Sequence, residues 1–252
     1  MTETNGQDGG SSRLHHLRVG WRLALMVALL VVCFPVRNGW LRLYLVLALP
    51  GLLAGASLLL RHRTRLWVLP LVALVLLMAV VLAPGRKQDR FALREQYVMA
   101  LRRYEGTRYV WGGEHRFGID CSGLVRRGLV DAHVREAWAT ANPGHLRSAL
   151  DLWWHDCSAR ALGEGYRSWI KPLFAADAVN QIDSERLLPG DLAVTASGVH
   201  VMAYLGEGRW IEADPELRKV VVEQVPSRNP WFDVPVQLVR WRRLGGQLPE
   251  QQ

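Results

Sequence analysis

The sequence predicts an α+β domain preceded by three membrane-spanning helices. Three observations carry that expectation. Residues 23–36, 43–60 and 66–83 are apolar runs of 14, 18 and 18 residues. Helical patterning then gives way to strand patterning near Leu187. Between the two styles, the stretch "YVWGGEHRFGIDCSGLV" at residues 109–125 places one of only three cysteines where a glycine-rich loop turns into a helix.

The membrane segment comes first. Residues 1–20 form a tail, expected on the cytoplasmic side. The first run is short by itself, but residues 21–40 give about 30 Å of helix at 1.5 Å per residue, with Trp21 and Trp40 at the two interfaces. Arg22 and Arg37 are near enough to the ends to snorkel. The spans expected at 43–60 and 66–83 are broken internally only by Pro, Gly and Ser, which bilayer helices tolerate. A cleaved signal peptide is disfavoured for the first run, since no small-residue cleavage site follows and two more runs come at once. A buried soluble hairpin is disfavoured for the other two, because neither has a polar face.

The net charge of +8 is confined to this region. Residues 1–90 hold 11 Lys and Arg against 3 Asp and Glu, whereas residues 91–252 hold 20 of each. The C-terminal domain therefore has no basic excess to hold a polyanion, and nucleic acid is excluded as a partner. Charge does not fix orientation. With an inside N-terminus, the flanks hold six basic residues inside and five outside. Three spans from that N-terminus leave the domain outside.

The domain is expected over residues 85–245, with a short tail at 246–252. "RKQDRFALREQYVMALRRYEG" has helical spacing, with Phe91, Leu93, Val98 and Leu101 toward the core and Gly106 as a stop. A second helix is expected from Cys121 to about Asp131. Residues 132–186, with Trp138, Trp153, Trp154 and Trp169, read as an insertion of two short helices that either caps a cleft or packs on itself. "LLPGDLAVTASGVHVMAYLGEGRWIEADP" then reads as strands joined by turns, one at Gly206-Glu207-Gly208, and "KVVVEQV" and "VPVQLVRW" as further strands. Helices first and sheet second define the α+β class.

A thiol reacts as its thiolate, which unpaired N–H groups and the dipole at a helix N-terminus favour. The same N–H groups are suited to an oxyanion. "GIDC" before "SGLVRRGLV" places Cys121 at such a start. Among the eight histidines, His200 stands out as base because it opens the alternating stretch "HVMAYLG", where a strand holds it. Cys33 falls within the first span. Cys121 and Cys157 are too few for a disulfide framework and lack the spacing of a metal site, so no metal and no cofactor are expected. One disulfide between them is possible in an oxidising compartment, and it would block the thiol.

These residues resemble a known family. "YVWGG", "GIDCSGLV", "LLPGDL" and "HVMAYLGEGRWIEA", in this order, are similar to the NlpC/p60 family of papain-like cysteine peptidases, bacterial enzymes that cleave peptidoglycan stem peptides, usually after γ-D-glutamate. The resemblance covers residues 91–241. It implies a papain-like NlpC-type fold of N-terminal helices on an antiparallel sheet, a catalytic domain on the extracytoplasmic side of the bacterial inner membrane, and stem peptides as partners. It implies Cys121 as nucleophile, His200 as base, and Tyr109 as a hydroxyl near the thiol. Asp120 and Ser122 match positions that in some members bind the free amino group of the stem peptide, and Trp111 is a further substrate-binding candidate. The third catalytic position, commonly a polar ring or an amide, falls on Glu212. The alternation of "RWIEADP" sets Glu212 and Asp214 on one face and does not choose between them. A tight turn at 206–208 counts Asp214 opposite His200, whereas the family spacing selects Glu212. Two alternatives stand beside a cell-wall endopeptidase: the same dyad acting as an amidase or acyltransferase on another amide or lipid-linked substrate, and a catalytically weakened wall-binding module.

Overall fold

The structure, a computed structural model, describes residues 7–36, 38–61 and 65–245. His62, Arg37 and the tail at 246–252 lie outside the described residues. The chain divides into two compact units: residues 1–34 with 38–83, and residues 35–37 with 84–252.

The first unit contains helices α1 (Gln7–Cys33), α2 (Gly39–Leu60) and α3 (Val68–Leu82). Three stretches, Leu14–Cys33, Gly39–Leu60 and Arg65–Leu82, are long and apolar enough to cross a membrane. The first differs from the expected 21–40. Its helix stops at Cys33, before Phe34-Pro35, and extends back into the tail. A helix seldom continues through the residue before proline. Asn38, whose side chain accepts the Leu41 N–H at 3.0 Å, then caps α2 at a new start. Trp21 thus lies inside α1, where its Nε1 donates to the Leu52 carbonyl at 2.8 Å.

The second unit is an α+β domain. Helix α4 (Arg90–Arg102) is capped by Asp89 and buries Leu93, Tyr97, Ala100 and Leu101, an i, i+4, i+7, i+8 stripe. Phe91 was expected inward, but it falls off that stripe and is 67 % exposed. A ribbon of β1 (Glu114–His115) and β2 (Gly118–Ile119) follows. Pro35 and Val36, which belong to this unit, extend it. Val36 bridges Gly113, and the Pro35 carbonyl accepts the Glu114 N–H at 2.9 Å. Helix α5 (Cys121–Thr140) runs nine residues past the expected end at Asp131. It crosses α4 closely at Gly128, where a β-carbon would come within 2.7 Å of Leu101.

Helices α6 (Pro143–Trp154) and α7 (Ala159–Gly163) come next, then strand β3 (Ile170–Ala176), which the Trp-rich stretch did not announce. Its Pro172 sits at a register shift on a sheet edge, where a missing N–H is tolerated. The main sheet adds β4 (Leu192–Thr195), β5 (Val201–Gly206), β6 (Arg209–Asp214), β7 (Lys219–Gln224) and β8 (Val236–Trp241), in the antiparallel order β3-β8-β4-β5-β6-β7. Both faces are buried. Leu192, Val194, Val201, Ala203, Ile211 and Ala213 share one core with α4 and α5. The alternate residues Ala193, Met202, Tyr204 and Trp210 share a second core with Phe232 and Leu238. Val201–Leu205 is buried on both faces, so "HVMAYLG" is a continuous apolar run and not the alternating stretch expected of it.

Candidate active site

The loop before α5 is built backbone against backbone. A β-carbon on Gly123 would lie 2.1 Å from the Gly113 carbonyl oxygen, and one on Gly113 would lie 2.5 Å from that of Gly118. Only glycines fit these approaches, so the "WGG" and "CSG" glycines interlock. Asp120 fixes the junction. Its Oδ1 accepts the Gly123 N–H at 2.6 Å and the Ser122 hydroxyl at 3.1 Å, while Oδ2 accepts the Gly112 N–H at 2.7 Å. This is an N-cap that also closes the loop. Of the roughly four lone-pair directions of a carboxylate, one remains, on Oδ2. Cys121 is therefore the first residue of the helix, and its sulfur lies 4.0 Å from the Val199 carbonyl oxygen.

That carbonyl belongs to the turn that delivers His200. Gly198, at φ +72°, reverses the chain, and the Thr195 side chain accepts the His200 N–H at 3.1 Å. The imidazole stacks on the Trp231 indole, with centroids 4.5 Å apart and planes 21° apart. Its Nε2 hydrogen-bonds Glu212 Oε2, and the Cys121 side chain is near enough to the ring to favour its charged form. With Nε2 committed, Nδ1 is the nitrogen left for sulfur. Burial disfavours the charged ring, but the neighbouring Cys121 and the Glu212 carboxylate outweigh it and push the His200 pKa up to about 9.

Glu212 is fully buried, and its Oε1 accepts a second hydrogen bond from Asn229 Nδ2 at 2.8 Å. Burial pushes its carboxyl above the ordinary range, against the pull of His200. Asp214 is placed otherwise. Its Oδ1 accepts the N–H groups of Glu216 and Leu217 at 2.6 and 2.8 Å, and Oδ2 accepts from the same Asn229 amide at 2.8 Å. The hairpin pairs Met202 with Glu212, so counting back along β5 does bring Asp214 opposite His200. The ring nonetheless meets the diagonal neighbour Glu212, which strand twist can carry into reach, and not the directly opposed Asp214.

The sulfur opens onto a cleft of about 580 Å³. Tyr109 and Trp111 line it, the latter 80 % exposed, together with Ser122, Arg126, Asp156 and Arg160. Burial, then the nearby Cys121 and Asp120, push the Tyr109 hydroxyl well above its ordinary pKa, so it stays protonated. Arg126 is buried at the floor. It pairs with Glu114 and Asp156 and donates to the carbonyls of Leu152 and His155, both at 3.2 Å. Cys157 also lines the cleft, and both thiols are free.

The structure thus brings all seven sequence-nominated residues together. Six line the cleft or meet at its thiol, and Glu212 lies behind the imidazole. Three partners were missed: Asn229, Trp231 and the Glu114–Arg126 pair. "RNPWF" carries an N-cap signal, since Asn229 Oδ1 does accept the Trp231 N–H at 3.1 Å. Nothing in its spacing ties it to His200.

An NlpC/P60 family model matches residues 106–240. Solved structures also resemble the chain. NlpC1 from Trichomonas vaginalis is 17 % identical over 64 % of this chain and 48 % of its own, with a TM-score of 0.39. The peptidoglycan hydrolase RipB from Mycobacterium tuberculosis is 18 % identical over 65 % of this chain and 70 % of its own, with a TM-score of 0.38. The P60 domain of an antigen from M. avium subspecies paratuberculosis is 22 % identical over 57 % of this chain and 93 % of its own, with a TM-score of 0.35. The chain spans about half the length of NlpC1. No curated protein matches it.

Proposed function

The chain belongs to the NlpC/P60 family, and from that premise we propose that it is a membrane-anchored cysteine endopeptidase that hydrolyses peptidoglycan stem peptides at the γ-D-glutamyl–diamino acid bond. The observation that carries the reading is the juxtaposition of Cys121 at the start of α5 with His200, whose ring is hydrogen-bonded from behind by the buried Glu212. Cys121 is the nucleophile, His200 the acid and base, and Glu212 the group that orients the ring.

In the first half-reaction, the Cys121 proton moves to His200 Nδ1 and the thiolate attacks the amide carbon. Negative charge develops on the carbonyl oxygen, where the Cys121 and Ser122 N–H groups in the first turn of α5, which have no intrahelical acceptor and are not engaged by Asp120, receive it. Collapse breaks the C–N bond, and the imidazolium gives its proton to the departing amine. A thioester remains. Water then attacks it, with His200 taking a proton from the water and returning one to sulfur, which releases a carboxylate. Glu212 and the Trp231 stack hold the ring through both transfers, and Glu212 supports its positive charge.

Trp111 at the lip offers a face to the peptide. The remaining acceptor direction on Asp120 and the Ser122 hydroxyl suit an ammonium group. The wall substrate places the domain outside the inner membrane, with the three apolar helices as a multi-pass anchor.

The test is mass spectrometry of purified muropeptides incubated with the full chain in detergent. Cleaved products from wild type, and none from Cys121→Ala, are expected. Intact muropeptides in both samples would sink the assignment.

A further inference from the structure

The domain has a second concavity, of about 1010 Å³, that the proposed chemistry does not use. It is lined by Lys87 and Arg90, which lead into α4, by Arg242 and Arg243, which follow β8, and by Phe91 and Trp169. Lys87, Arg90 and Arg242 are exposed and make no ion pair among the described residues. Arg243 is paired with Asp151 at 2.6 Å and lies 5.5 Å from the Trp169 ring centroid. The one carboxylate in the lining, Asp89, accepts the Phe91 and Ala92 N–H groups as the cap of α4.

Three uncompensated cations from two distant parts of the chain converge on one groove, beside a phenylalanine that is 67 % exposed. Bringing like charges together is unfavourable unless an anion is there to meet them, and the exposed ring suits an amphiphile. The sequence narrows the choice. Lys87 follows Leu82, the last residue of the third candidate span, by five residues. Chain geometry keeps it within about 18 Å of that span's end.

We propose that this groove binds the phosphate of anionic lipid headgroups and so tethers the catalytic domain to the bilayer surface. The proposal rests on the membrane anchor put forward above. Each Lys or Arg close to an anionic surface tightens association about fivefold, and the attraction fades within a Debye length of about 8 Å, so high salt should release it.

The chain contains only three lysines, Lys87, Lys171 and Lys219, which makes the test direct. The full chain is reconstituted into nanodiscs of phosphatidylcholine alone or mixed with phosphatidylglycerol. Lysine acetylation rates are then read by mass spectrometry. Lys87 should react severalfold more slowly in the anionic discs, with Lys171 and Lys219 unchanged. High salt or the pair Arg90→Gln and Arg242→Gln should restore its rate, while muropeptide turnover in detergent is unaltered. Equal Lys87 rates in the two discs would overturn the groove and leave the anchor standing. Equal slowing of all three lysines would overturn it too, as a general surface-charge effect. Protection by inorganic phosphate in phosphatidylcholine discs would make it a free-anion site and not a tether. A chain that fails to enter discs would overturn the anchor, and the proposal with it.

Discussion

His200 and Glu212 meet through a hydrogen bond between groups that are almost wholly removed from solvent, 2 % and 0 % exposed, whereas Asp214, two residues further along the same strand, caps a turn. The division of labour between the two carboxylates sets the first expectation. Glu212→Ala should lower kcat/KM about tenfold or more, because the ring loses its orienting acceptor. Asp214→Ala should leave turnover within a few-fold and lower stability by about 1–2 kcal/mol, since two backbone donors lose their acceptor. Steady-state kinetics and thermal unfolding of both variants check this; a large kinetic loss in Asp214→Ala alone would reverse the assignment.

The pH dependence follows from His200. Its pKa is raised from 6.5 to about 9 in the folded state. The stability this contributes is therefore fully present below pH 6.5 and is lost as pH rises through 9. The linked free energy is on the order of 3 kcal/mol. Unfolding measured between pH 6 and 10 should show that decline, and His200→Ala should flatten it. His200 is also the proposed acceptor of the Cys121 proton, so iodoacetamide should alkylate Cys121 faster in the wild type than in His200→Ala.

Much of this site was legible because its determinants are local. The Gly112–Gly113 loop, the Asp120 cap and Cys121 lie within ten residues, and each has a known effect on the next. The turn into β5 likewise announces His200. Strand alternation reduced the third position to Glu212 or Asp214 but went no further, because both share a face and the choice falls to a diagonal contact that strand register alone does not give. Asn229 and Trp231 were illegible for a different reason: they reach His200 and Glu212 only after the chain has passed through β7 and a turn. β3 was hidden by a proline and an edge position, which erase the alternation that betrays a strand.

The "LLPGDL" motif makes a stability prediction. Asp191 is 1 % exposed and receives Arg240 in a bidentate pair at 2.5 and 2.6 Å, while also accepting the Leu188 N–H at 2.8 Å. Asp191→Ala leaves a guanidinium, itself only 8 % exposed, without that partner, and removal of one member of such a pair costs about 3–5 kcal/mol. Asp191→Ala together with Arg240→Met should recover much of the loss. Denaturant unfolding of the three variants checks it; a single variant as stable as wild type would show that the pair contributes nothing.

Topology is testable without activity. Three candidate spans separate the N-terminus from the domain, so the proposed anchor predicts that the two lie on opposite sides of a membrane. Alkaline phosphatase fused after Gly85 should be active in bacterial cells, as expected of an extracytoplasmic domain acting on the wall. An inactive phosphatase at normal expression would remove the peptidoglycan reading.

Asn229 gives the sharpest test of how the buried acids are held. Its amide donates to Glu212 Oε1 and Asp214 Oδ2, both at 2.8 Å, and so lies between two carboxylates with almost no access to water. Asn229→Asp keeps the shape but replaces a donor with a third negative charge. Like charges disfavour one another, so Glu212 should take up a proton at a higher pH, and a protonated Glu212 no longer supports the imidazolium. The acid limb of the kcat/KM profile should therefore move up, with activity at neutral pH reduced about tenfold or more. Asn229→Ala also removes the donor but adds no charge and opens space for water, which can solvate both carboxylates. It should be the milder change, with its acid limb closer to wild type. If the two variants lose activity equally with unshifted profiles, Asn229 serves only to pack the turn, and the charge of Glu212 is not what sustains His200.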